Sequence, residues 1–91
     1  MIKHLNIKIF GQVHDVNFRY YARQKAVELS LAGWVENKYQ PESVYMEAEG
    51  EEAGLQKFAD WCRQGPPHAQ VSGIIIEEGE VKNFSMFQIR R

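Results

Sequence analysis

What this sequence has little of narrows it first. It holds one cysteine, Cys62, in 91 residues. No internal disulfide can form, so a small secreted fold stapled by cross-links is excluded, and a reducing cytoplasm is the expected setting. Its longest uninterrupted apolar runs are three residues, as in Ile74-Ile75-Ile76, against the ~20 needed to span a bilayer. The opening Met1-Ile2-Lys3-His4 has no apolar stretch of the signal-peptide kind. Charge of one sign is not in excess either: 11 Lys and Arg face 12 Asp and Glu, for a net charge of −1. A generic nucleic-acid or anionic-membrane binder would carry a basic surplus, so neither partner is expected. The glycine-rich nucleotide cradles Gly-x-x-x-x-Gly-Lys-Ser/Thr and Gly-x-Gly-x-x-Gly do not occur. Its three histidines, His4, His14 and His68, are scattered without partners at metal-ligand spacing, and no metal is expected.

What is present suits one globular domain over residues 1–91: 44% hydrophobic, 25% charged and 12% aromatic. From Lys3 to Phe10, Leu5, Ile7 and Ile9 alternate with His4, Asn6 and Lys8, the pattern of a half-buried strand. Gly11 to Asn17 breaks that pattern and predicts a loop. Phe18, Ala22, Ala26 and Leu29 then recur at helical spacing, with Asp15 or Asn17 as a candidate cap. Gly33–Tyr39 and Ser43–Glu49 read as a strand pair joined by Gln40-Pro41-Glu42-Ser43, a turn longer than a two-residue one. Gly50 opens a second helix with Glu51 and Glu52 in its first turn. Leu55, Phe58, Ala59 and Cys62 form its buried stripe, and Gly65-Pro66-Pro67 ends it. Ala69–Glu77 and a short Phe84–Ile89 complete the strands. The order β-α-β-β-α-β plus a fifth strand predicts an α+β, ferredoxin-like sandwich, a mostly antiparallel sheet with both helices on one face.

Two places carry candidate chemistry. Gly11-Gln12-Val13-His14-Asp15-Val16-Asn17-Phe18-Arg19 joins a strand to a helix and delivers an arginine at the helix start. A tight loop at a helix N-terminus gathers backbone N–H groups that bind anions, and a guanidinium adds a planar cation matched to phosphate oxygens. From spacing alone, Arg19 also reads as a surface arginine. Asn37 is a poor strand former placed in a strand, which points either to a local need or to an edge position. Cys62 falls on the buried stripe and reads as core packing.

These residues carry a resemblance. Ile9-x-Gly11-x-Val13-x-x-Val16-x-Phe18-Arg19, then Gly33-Trp34-Val35-x-Asn37, then Gly50, then Gly65-Pro66-Pro67-x-Ala69-x-Val71 is similar to the acylphosphatases over nearly the whole chain. The resemblance implies hydrolysis of carboxyl–phosphate mixed anhydrides without metal, cofactor or covalent intermediate, by a monomer acting on a small acyl phosphate. It implies that Arg19 and the backbone N–H groups of His14, Asp15, Val16, Asn17, Phe18 and Arg19 hold the phosphoryl group. It further implies that Asn37 holds the attacking water.

The chain departs from the family in three places. Val13-His14-Asp15-Val16 stands where Val-Gln-Gly-Val is usual, so Asp15 replaces a glycine. A carboxylate ~6 Å from a phosphate at an effective dielectric of ~20 costs on the order of 3 kcal/mol. The turn after Asn37 has one extra residue and no glycine, and Glu36 adds an expected second negative charge near the site. An impaired anion-binding module is therefore the alternative reading. RNA-recognition modules share the element order, but Ser43–Glu49 carries acids where they show an aromatic and glycine pattern.

Overall fold

Alternation in the first strand sets the architecture. A computed structural model describes residues 1–91, and in it β1 (Ile2–Gln12) buries Ile7 and Ile9 completely on one face. It lies between β3 (Glu42–Glu51) and β4 (Gln70–Gly79), antiparallel to both. On the far side of β3 comes β2 (Ala32–Tyr39), again antiparallel, and then β5 (Phe87–Ile89), parallel to β2. The sheet order is β4-β1-β3-β2-β5. Helices α1 (Phe18–Glu28) and α2 (Glu52–Gln64) bury Phe18, Ala22 and Ala26, and Leu55, Phe58 and Cys62, in one core. That core includes Ile7, Ile9, Val35, Val44, Met46 and Ala48 from a single face of the sheet. Each large apolar side chain so buried contributes ~1.5–3 kcal/mol. The result is the ferredoxin-like α+β sandwich. No helix is long and apolar enough to cross a membrane.

Several boundaries differ from the sequence reading. Gly50 and Glu51 belong to β3, because Lys3 and Ile2 of β1 capture them in the ladder, and α2 starts only at Glu52. The β2–β3 connection is shorter than expected. Tyr39 pairs with Glu42, leaving only Gln40 and a cis-linked Pro41 between the strands. The fifth strand begins at Phe87 rather than Phe84, because the residues before it do different work.

That work is on the opposite face of the sheet. His4 is only 1% exposed there, with Nδ1 2.8 Å from Glu49 Oε2 and Nε2 3.2 Å from Glu47 Oε1. The backbone N–H groups of Lys82 and Phe84 donate to the Glu49 carboxylate, and Lys82 Nζ donates to Glu47 at 2.9 Å. The strap before β5 is thus pinned to the sheet by buried carboxylates. The tail that follows is led beside β2, where the Gly33 N–H donates to the Met86 carbonyl and the Arg90 N–H to the Val35 carbonyl.

Candidate functional site

The loop after β1 takes its direction from a bulge. Pairing between β1 and β4 slips between Phe10 and Gly11. Gly11 has φ +132°, and a Cβ there would lie 2.1 Å from the Gln70 carbonyl oxygen, so only glycine fits. The chain then leaves the sheet through Val13, which is buried, and turns into α1.

Asp15 and Asn17 both sit in the left-handed region, at φ 59° and 58°. Asp and Asn tolerate that region best after glycine, so Asp15 fits sterically where a glycine was expected. Neither side chain caps the helix, contrary to expectation: Asn17 stands at the cap position without a side-chain hydrogen bond. A cap side chain reaches back to the first turn from an extended backbone, and the left-handed turn at Asn17 aims it elsewhere. As a consequence, the backbone N–H groups of Asp15, Val16, Asn17, Phe18 and Arg19 have no acceptor within the chain. Five unpaired donors at the positive end of a helix, here called the nest, are the kind of group that accepts an anion.

His14 behaves differently. Its N–H donates to Glu42 Oε2 at 3.0 Å, beside the Val13 N–H at 3.1 Å. The His14 and Val13 N–H groups hold the Glu42 carboxyl below the usual carboxylate range. Val16 turns its side chain onto the core.

A cavity of about 290 Å³ opens beside this nest, at the small end of the range for ligand sites. Asp15, Asn17, Phe18, Arg19 and Asn37 all line it, so these sequence-predicted residues are brought together, whereas His14 and Val16 do not line it. Arg19 lies in the first turn of α1, and its Nη1 donates to the Arg90 carbonyl at 3.0 Å. Asn37 pairs with Val44 across the β2–β3 ladder and so faces the helix side of the sheet with Val35. Its Oδ1 is buried without any hydrogen-bond partner. A buried acceptor left without a partner costs ~1–3 kcal/mol.

The charge expected at Glu36 is not at the site. Successive strand residues point to opposite faces, so Glu36 lies opposite Tyr45 on the face away from the helices. There its carboxylate is 3.6 Å from Lys38 Nζ. Asp15 is the one acidic residue lining the cavity, against Arg19 and Arg91. Cys62 is fully buried in the core, as its helical position predicts, and burial pushes its thiol far above the ordinary value. Sequence reasoning missed the tail: Ile89 and Arg91 line the cavity and Arg90 braces Arg19. No motif marks them, because their place depends on β5 pairing in parallel with a strand some fifty residues earlier.

Known proteins resemble this chain over most of its length. The family model described as acylphosphatase matches residues 5–89. The acylphosphatase of Archaeoglobus fulgidus is 40% identical over 86 residues, covering 93% of this chain and 94% of that protein. That of Acaryochloris marina is 41% identical over 88 residues, covering 96% and 92%. Among solved structures, an acylphosphatase from Coxiella burnetii superposes with a TM-score of 0.94 at 36% identity, covering 98% of this chain and 93% of that one.

Proposed function

The chain belongs to the acylphosphatase family of hydrolases, and on that premise we propose that residues 1–91 act as one monomeric domain that cleaves the carboxyl–phosphate bond of small acyl phosphates. The phosphoryl oxygens lie in the nest of N–H groups from Asp15 to Arg19, with the Arg19 guanidinium across them. Water held by the Asn37 side chain attacks phosphorus in line. The bond between phosphorus and the acyl oxygen breaks, its electron pair leaves with the carboxylate, and the water's proton passes to the phosphate product or to solvent.

Magnitudes make this sufficient. A carboxylate is a good leaving group, so no strong acid or base is needed and positioning with charge stabilisation carries the rate. Two features support the reading: open N–H donors gathered at the start of α1, and an arginine whose Nη1 is held by the Arg90 carbonyl. The observation that carries the reading is the buried, unpartnered Oδ1 of Asn37 in the same cavity as Arg19 and the open nest. The single buried cysteine suits a reducing cytoplasm.

The alternative, an anion-binding domain that no longer turns over, rests on Asp15 alone, since Glu36 faces away. Asp15 is exposed, so solvent and salt screen much of its repulsion. The test is benzoyl phosphate hydrolysis by the wild type, Arg19→Ala and Asn37→Ala, each shown to be folded. Turnover that collapses in both variants is the expected result. A silent wild type that binds inorganic phosphate would favour the alternative.

A further inference from the structure

The nest has no internal hydrogen bonds to keep its shape: from Asp15 to Arg19 every N–H is unpaired within the chain. Val13, Val16 and Phe18 anchor the loop in the core, and three groups of the β2–β3 hairpin add contacts at its entrance. Glu42 Oε2 accepts from the Val13 and His14 N–H groups at 3.1 and 3.0 Å. The His14 ring donates from Nε2 to the Ser43 carbonyl at 2.8 Å, which fixes that nitrogen as the protonated one. The same ring packs edge-on against Tyr39, with centroids 4.9 Å apart. Ser43 is itself 1% exposed, and its hydroxyl donates to the Pro41 carbonyl, so the anchor is rigid.

We propose that Glu42 is a positioning residue for phosphate binding, its carboxylate clamping the Val13–His14 entrance so that the next five N–H groups converge on one anion. The inference rests on the acylphosphatase reading of the site. A carboxylate next to an anion nest would seem to oppose binding, but neither Glu42 nor His14 lines the cavity. The two donors it takes precede the open ones in the chain, and charge-assisted bonds to backbone N–H groups are about twice as strong as neutral ones.

The test compares wild type, Glu42→Ala and Glu42→Gln in three measurements: benzoyl phosphate kinetics, inorganic phosphate titration, and amide hydrogen exchange at Val13 and His14. Glutamine keeps an oxygen that accepts the same bonds without the charge. In Glu42→Ala, KM and the phosphate dissociation constant are expected to rise ~10-fold, with kcat changed less than about 3-fold and exchange protection at both amides lost. Glu42→Gln is expected to recover most of the affinity and the protection. A merely structural residue would instead lower thermal stability and active fraction without splitting KM from kcat. Alanine values within about 2-fold of wild type, or glutamine no better than alanine, would overturn the inference. If no protein turns over, the function reading falls, while phosphate titration and amide exchange still decide this one. A wild type that binds no phosphate overturns both.

Discussion

Replacing Arg19 by lysine separates geometry from charge. Lysine keeps the positive charge but loses the planar fork and the brace that Arg19 Nη1 makes with the Arg90 carbonyl. Arg19→Lys is expected to lower kcat/KM by ~10²-fold and Arg19→Ala by ~10³-fold, measured on an acyl phosphate at matched folded concentration. Equal activity in wild type and lysine variant would contradict the role proposed for the planar guanidinium. Asn37 gives a different signature, because its Oδ1 is buried with no hydrogen-bond partner from the chain. Asn37→Ala should lower kcat ~10²-fold with KM little changed, while the melting temperature stays level or rises. A variant that loses both stability and activity would mean Asn37 is a structural residue. At Asp15 the backbone is already left-handed, so glycine fits without strain. Asp15→Gly should raise kcat/KM about 3- to 10-fold at low ionic strength, with the gain shrinking as salt is added. No gain at low salt would place the carboxylate's field away from the substrate.

Among the elements, the strands and helices were legible because their periodicities are clean: Leu5, Ile7 and Ile9 at two, Leu55, Phe58, Ala59 and Cys62 at three and four. Where reading failed, tertiary pairing had overridden a local signal. Gly50 resembles a helix opener, but the β1–β3 ladder claims it. Gln40-Pro41-Glu42-Ser43 resembles a turn, but Glu42 is drawn into the sheet ahead of Ser43. The loop was legible as the break between a strand and a helix, whereas its hydrogen bonds to Glu42 were not, since Glu42 reaches back 29 positions to Val13. Gly11 ties the loop to the sheet. Gly11→Ala would force a methyl against the Gln70 carbonyl at a positive φ and is expected to cost ~2–4 kcal/mol in urea unfolding. A loss below ~0.5 kcal/mol would show that the bulge can relax.

Across the whole molecule, the site is completed by its two ends of sequence. The Gly11–Arg19 loop supplies donors, and the tail from Phe87 to Arg91 supplies a wall and the brace on Arg19. That tail is steered by the strap fastened to Glu49, a link invisible in sequence because its partners lie 33 and 35 positions apart. Burial alone would raise the Glu49 carboxyl, but hydrogen bonds from the Lys82 and Phe84 N–H groups and the His4 ring outweigh it, and its value is lowered. A depressed carboxyl contributes stability that is present above the unfolded value, ~4.3, and is lost as pH falls through the folded one. Urea midpoints should therefore drop as pH falls below about 5, with a shallower slope in Glu49→Gln; equal slopes would remove Glu49 from the linkage. The most direct measurement is hydrolysis of benzoyl phosphate in ¹⁸O-labelled water, following where the label goes. A nest that holds the phosphoryl group for in-line attack predicts label in inorganic phosphate and none in benzoate. Label in benzoate would mean attack at the carbonyl carbon, and would contradict the roles given to Arg19, the loop and Asn37.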